Sequence, residues 1–225
     1  MTIRPIKFKN WEDLINDGEN YGGVKKEQFS PMEKAVFEAI KDKTVLKVQD
    51  SFVFSKTGHN AEGEDHPVEL AKLIARFEHL KEVTSIIITH NRLNAEALRI
   101  IVGSSILNNI DYLHLGSNNF GDEGAKIIAE SPLFAKVHFL NLECNGIGPE
   151  GAKALATSTV LTQVTSLSLV DNRVGDEGAL AIAQSDNLRN LTYLHLGGNR
   201  VKSEDVKQAL RESPKLTQLK TLKVF

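Results

Sequence analysis

A single cysteine stands among the 225 residues, so no disulfide can close within the chain and the fold does not depend on an oxidising compartment. Charge of one sign is lacking too: 27 basic side chains face 29 acidic ones, a net charge of −2 with histidine neutral. That balance argues against a general nucleic-acid or anionic-membrane binder, either of which carries a basic excess. No stretch approaches the ~18 uncharged apolar residues of a transmembrane helix. The opening residues, Met1 to Asn10, are basic but lack the apolar run of a secretory signal. The expectation is a cytoplasmic protein, although injection of a bacterial effector would leave no such mark. Asn190-Leu191-Thr192 matches a glycosylation sequon and, without a signal peptide, reads as chance. No Walker phosphate loop, dinucleotide fingerprint or nucleophile elbow occurs, so no enzyme class is indicated.

Apolar residues are plentiful at 41%, enough for a sizeable core, but they are unevenly spread. Residues 1–80 hold 5 leucines and residues 81–225 hold 21, while phenylalanine falls from 6 to 4. The leucine-rich part repeats. Asparagine recurs every 27 residues, at Asn91, Asn118, Asn145, Asn172 and Asn199. Five and three residues before each lies an aliphatic pair: Ile86/Ile88, Leu113/Leu115, Leu140/Leu142, Leu167/Leu169 and Leu194/Leu196. Three residues earlier stands Val83, Ile110, Val137, Val164 or Leu191, and two after the asparagine Leu93, Phe120, Ile147, Val174 or Val201. A sixth copy begins at Leu219, Leu222 and Val224.

Period-2 alternation around each pair predicts a short strand. The segments Gly121-Asp122-Glu123-Gly124-Ala125, Gly148-Pro149-Glu150-Gly151-Ala152 and Gly175-Asp176-Glu177-Gly178-Ala179 then open helices. Asp122 and Asp176 are expected to accept from the free N–H groups of the first helical turn, and Pro149 suits that turn because it has no N–H to satisfy. The Gly-Ala pairs leave room for a neighbouring helix. This pattern resembles the ribonuclease-inhibitor-like class of leucine-rich repeat over about residues 83–225. The resemblance implies an α/β solenoid: a curved stack with parallel strands on the concave face and helices on the convex face. It also implies a non-enzymatic protein that works through contacts with another protein, with no cofactor and no metal. Some members of that family regulate small GTPases, a reading that a GTPase turnover assay would separate from plain binding. The asparagine column is expected to satisfy backbone groups in the turns.

The first eighty residues are expected to form a cap. Asn10 precedes a short helix ending near Gly18, and Ser30-Pro31-Met32-Glu33 is a capping box opening a helix to about Lys41. Val45–Val48 and Phe52–Phe54 are expected strands. From Pro67 a helix should run through Leu80, with Leu70, Leu73, Ile74, Phe77 and Leu80 on one face. The expected division is a mostly helical cap over residues 1–44, a degenerate first repeat over 45–82, and the 27-residue repeats over 83–225. A separate N-terminal domain with its own activity is the alternative.

His59, Glu62, Glu64, Asp65 and His66 match no known metal-ligand spacing and read as a solvated acidic loop. Cys144 reads as a small, partly buried filler. His114 and His195 occupy equivalent strand positions without a Ser or Cys partner, and read as surface contacts. Function is expected on the concave face, where residues flanking each buried pair must point. These are Ser85, Ile87 and Thr89; Tyr112, His114 and Gly116; Phe139, Asn141 and Glu143; Ser166, Ser168 and Val170; Tyr193, His195 and Gly197; and Thr221, Lys223 and Phe225. Arg92, Arg173 and Arg200 extend the rim. The contact residues expected to matter most are Tyr112, His114, Phe139, Asn141, Glu143, Tyr193, His195, Arg173 and Arg200. Aromatic and arginine side chains favour protein interfaces, which points to a protein partner of unknown identity bound by a monomer. Lys220 and Lys223 would guard an open edge at the last strand.

Overall fold

In the structure, a computed structural model, residues 45–49, 66–76 and 78–225 are described. Among the described residues seven strands make one parallel sheet in chain order: β1 Val45–Gln49, β2 Ser85–Thr89, β3 Tyr112–His114, β4 Phe139–Asn141, β5 Ser166–Ser168, β6 Tyr193–His195 and β7 Thr221–Lys223. Helices cross between them: α1 His66–Arg76, α2 Ala95–Val102, α3 Gly121–Glu130, α4 Pro149–Thr157, α5 Gly175–Ala183 and α6 Glu204–Arg211. Strands stack about 4.8 Å apart while packed helices need about 8–10 Å, so the array bends with the sheet inside. The Asn10 and Ser30 helices, the Phe52 strand and the His59–Asp65 cluster lie outside the described residues, as does the whole of 1–44.

Constant spacing turns the aliphatic pair into columns. The register sets Leu46, Ile86, Leu113, Leu140, Leu167, Leu194 and Leu222 side by side, and all but Leu222 are at most 1% exposed. Each fully buried leucine stabilises the stack by roughly 1.5–3 kcal/mol. A second column, Leu80, Leu107, Phe134, Leu161, Leu188 and Leu216, closes the core where each helix returns to the sheet. That column corrects the expectation of one helix through Leu80. The α-helix ends at Arg76, and Leu80 sits in a separate 3-10 turn, Glu78–Glu82, whose Leu80 carbonyl accepts from Val83 N at 3.0 Å. The chain must leave the helical layer before Ser85 to enter the strand, and the tight turn accomplishes this.

The asparagine side chains knit neighbouring turns together. Asn145, 1% exposed, donates from Nδ2 to the carbonyls of Leu115, Leu142 and Glu143 at 2.9, 3.1 and 2.9 Å, and its Oδ1 accepts from Asn118 N at 3.1 Å. Asn172 Oδ1 in turn accepts from Asn145 N and Ile147 N at 3.0 and 2.9 Å. A serine ladder at the opposite end of the helices escaped the sequence reading. Ser104, Ser158, Ser185 and Ser213 each donate to a carbonyl of the preceding helix, Ala75, Ala129, Ala156 and Ala183. Each of these hydroxyls also accepts from a backbone N–H three residues on. A serine just past the end of each helix from α2 to α6, close to the 27-residue period, was the available signal.

Two turn geometries alternate along the stack. After Asn91, Asn145 and Asn199 the next residue, Arg92, Gly146 or Arg200, has positive φ; after Asn118 and Asn172 the positive φ moves to Gly121 and Gly175. The Gly-Asp-Glu-Gly-Ala segments belong to the second kind, and there the capping expectation needs correcting. Asp122 and Asp176 do not cap their own helices, whose N-caps Phe120 and Val174 make no side-chain cap bond. Asp122 Oδ1 instead accepts from Gly148 N and Gly151 N at 2.7 and 2.8 Å, and Asp176 Oδ1 from Lys202 N and Ser203 N at 2.8 and 3.0 Å. Each aspartate stands inside its own first turn, where a side chain cannot reach back to the preceding donors, so it serves the next repeat. Ser203 and Asn94 cap their own helices by accepting from Val206 N and Ala97 N. The room left by glycine is used at this contact: a Cβ on Gly151 would lie 2.5 Å from Asp122 Oδ1, and one on Gly178 2.9 Å from Ala152 Cβ.

Candidate functional site

The concave face is the exposed side of strands whose other side is core, and its side chains stand in register. Tyr112 pairs with Phe139, Phe139 with Ser166, and Ser166 with Tyr193. The Tyr112 and Phe139 rings stack, centroids 4.4 Å apart and planes within 4°. Tyr193 belongs to the same column but stands apart, because short Ser166 intervenes. The predicted face therefore divides into two clusters rather than one aromatic row.

The first cluster adds His114, Asn141 and Glu143 to the stacked rings. Glu143 Oε1 lies 3.5 Å from His114 Nε2, while Asn141 Nδ2 donates to Glu143 Oε2 at 3.2 Å. Burial, and then the Glu143 carboxylate, pushes the Tyr112 phenol up, so that it stays protonated. In the second cluster Lys223 Nζ lies 5.7 Å from the Tyr193 ring centroid, and His195 meets Tyr193 edge-on at 6.2 Å. Phe225, 77% exposed, leans on His195 at 5.9 Å.

The two clusters start from the same pentapeptide, Tyr112-Leu113-His114-Leu115-Gly116 and Tyr193-Leu194-His195-Leu196-Gly197. Gly116 is buried because Glu143 folds over it, and a Cβ there would lie 2.8 Å from Glu143 Cγ. Phe225 takes that place over Gly197, 2.8 Å from the equivalent point. Thr89 and Ser168, expected to be open, are only 5% and 9% exposed. Arg173 and Arg200 are exposed and stand away from the rings, lining a rim hollow of about 380 Å³ with Asn119, Cys144, Asp171 and Gly198.

Cys144 is exposed, which corrects the reading of a partly buried filler. The residue before each ladder asparagine has positive φ (His90, Ser117, Cys144, Asp171 and Gly198), and this conformation turns its side chain away from the core. Although the residue is exposed, partial desolvation of its thiol, and then the Asp171 and Glu143 carboxylates, push the thiol up, and a Ser117 hydrogen bond opposes this.

Burial, and next the Lys223 ammonium, hold the His195 imidazole below the usual histidine range, while Glu143 and Asp171 pull it upward. The folded chain therefore favours the neutral ring. Its contribution to stability is present above the unfolded histidine value of about 6.5 and is lost as pH falls through the lower folded value. In an NMR titration Lys223→Gln should move the His195 midpoint upward; an unchanged or lower midpoint counts against this account.

Among the described residues no group of three or more His, Cys, Asp or Glu is placed to hold a metal ion, and no helix is long and apolar enough to cross a membrane.

A family described as Leucine Rich repeat matches residues 107–129, 135–156, 160–183 and 187–207. The chain carries leucine-rich repeats over these residues. Its repeats are of the ribonuclease-inhibitor-like subtype, and such arrays are typically protein-interaction scaffolds and generally non-catalytic. Among solved structures, the leucine-rich repeat chain is similar to the tropomodulin C-terminal domain of Caenorhabditis elegans, with 19% identity and a TM-score of 0.50 over 67% of this chain and 92% of that one. It is also similar to an internalin of Listeria monocytogenes, with 20% identity and a TM-score of 0.46 over 67% of this chain. It spans 37% of the internalin chain's length. A third match is leiomodin-1 actin-binding site 2, with 17% identity and a TM-score of 0.38 over 71% of this chain and 77% of that one. The tropomodulin likeness shows the fold. No curated protein matches the chain.

Proposed function

We propose that this protein binds a partner protein through its concave sheet face, with Tyr112, Phe139 and Tyr193 as anchors. The observation that carries the reading is the stacked, half-buried Tyr112–Phe139 pair on an otherwise largely polar sheet face. Rings fixed in this way lose little entropy when a partner covers them, which is why aromatic residues concentrate binding energy. His114, Asn141, Glu143 and His195 supply polar contacts around the rings, and Arg173 and Arg200 extend the contact to the rim. The near-balanced charge asks for no strongly acidic or basic partner. The array acts by presenting a surface, without a reaction step of its own.

Affinity capture from the native cell with wild-type protein and with Tyr112→Ala/Tyr193→Ala tests the reading. The double variant is expected to hold its partner at least tenfold more weakly. Its melting temperature should fall by only a few degrees, since an aromatic pair contributes about 0.5–1.5 kcal/mol beyond its buried area. Undiminished capture sinks the concave-face assignment.

A further inference from the structure

The aromatic column has a gap at Ser166, between Phe139 on β4 and Tyr193 on β6. Two strand spacings put the backbones on either side about 9.6 Å apart, and inward curvature narrows the distance between side chains. A planar group sandwiched between two ring faces needs about 3.5–4 Å on each side, or roughly 7–8 Å in all. The gap therefore has the width of one flat side chain. Its first wall is oriented for the purpose. The Phe139 ring lies nearly parallel to that of Tyr112 on the neighbouring strand, so its other face looks along the column over Ser166. Tyr193 already carries a cation over its ring, Lys223 from β7. The strand on its other side offers only the Ser166 hydroxyl. Glu143 leans back along β4 to Asn141 with one carboxylate oxygen 3.5 Å from His114 Nε2, and its negative charge is felt across β5 at His195.

We propose that this slot receives an arginine side chain of the partner protein. The guanidinium would stack between Phe139 and Tyr193, with the Glu143 carboxylate as its counter-charge. The proposal rests on concave-face binding and names what one point of that face recognises. Arginine fits better than the alternatives for two reasons. It is the planar cation, so it can stack on both rings and donate in its own plane to a carboxylate. An inserted aromatic ring would leave Glu143 with no new partner, and an inserted carboxylate would be repelled by it.

The test is a random peptide library panned on the full chain, with selected peptides measured against three variants. Ser166→Tyr fills the slot by completing the aromatic column and should melt no lower than wild type. If it fails to fold, Phe139→Leu, which removes one wall, takes its place. Selected peptides are expected to share an arginine, to bind Ser166→Tyr at least tenfold more weakly and Glu143→Gln several-fold more weakly, and to lose affinity when that arginine becomes lysine. Peptides enriched in aromatic or acidic residues instead, or no selected peptides at all, overturn the proposal. Peptides that lose binding to Tyr112→Ala/Tyr193→Ala but bind Ser166→Tyr as well as wild type overturn the slot and leave concave-face binding standing. Peptides insensitive to every variant overturn both.

Discussion

Asn145→Ala is expected to destabilise the protein by about 2 kcal/mol, and Asn145→Ala/Asn172→Ala by more than the sum of the two single changes. The hydrogen bonds explain why. Leu142 O accepts from both Asn145 Nδ2 and Asn172 Nδ2, at 3.1 and 2.9 Å. Leu115 O accepts from Asn118 and Asn145, both at 2.9 Å. Losing one asparagine therefore leaves each of these carbonyls with a donor. The group left without its partner is Asn118 N–H, which loses Asn145 Oδ1, and a buried orphan costs about 1–3 kcal/mol. Losing two neighbours strips Leu142 O of both side-chain donors, and a coupling of about 1–3 kcal/mol should appear in the double variant. For a chain of this size each kcal/mol lowers the melting temperature by about 2–4 °C, so the single change is expected to cost about 4–8 °C. Urea unfolding of the four proteins in this cycle measures the coupling, and strict additivity would falsify the shared-carbonyl account.

Asn145→Asp makes a sharper version of the same experiment. The carboxylate keeps an acceptor for Asn118 N–H but faces carbonyls where the amide had donated. At neutral pH this replacement should be worse than alanine, because it buries a charge among acceptors. Such a carboxyl titrates high in the folded state, so acidification should recover part of the loss.

The ladder also shows which parts of the fold are open to sequence reading. A strict period fixes register: once Leu113, Leu140 and Leu167 are 27 apart, parallel strands place them in one column, and alternation determines what faces away. Interactions that cross between repeats through a polar side chain are harder to see. Asp122 looks like a cap for the helix it opens, yet its carboxylate serves Gly148 and Gly151 one repeat later. The deciding factor is where the side chain points from the first turn, which a linear pattern does not display. Cys144 was misplaced for a related reason, since the left-handed backbone before each ladder asparagine carries no consistent residue type. At the candidate site, alternation identified the aromatic column. Its division at Ser166 depends on side-chain length across strands, which the period does not encode, because Ser166 and Tyr193 are equivalent positions in the 27-residue repeat.

Phe134→Ala is expected to cost about 3–5 kcal/mol, the largest effect of any single change considered, while Phe134→Leu should cost no more than about 1.5 kcal/mol. Phe134 is 1% exposed and occupies a column otherwise made of leucine: Leu80, Leu107, Leu161, Leu188 and Leu216. Its ring fills the place where the 3-10 turn Pro132–Phe134 meets the sheet, and its carbonyl accepts from Val137 N at 3.1 Å as the chain enters β4. Alanine removes the filling and leaves a cavity between repeats; leucine restores the side chain found at every neighbouring level. A stack of this kind is stabilised by the repeats themselves and by the interfaces between neighbours, so a central cavity weakens two interfaces together. Denaturant unfolding of Phe134→Ala should therefore lose cooperativity as well as midpoint, with a lower m-value than wild type. Hydrogen exchange should localise the weakening to β3, β4 and β5, leaving the amides of α6 close to their wild-type protection. Uniform loss of protection along the whole chain would instead mean that the array unfolds as one unit, and nearest-neighbour coupling would not describe it.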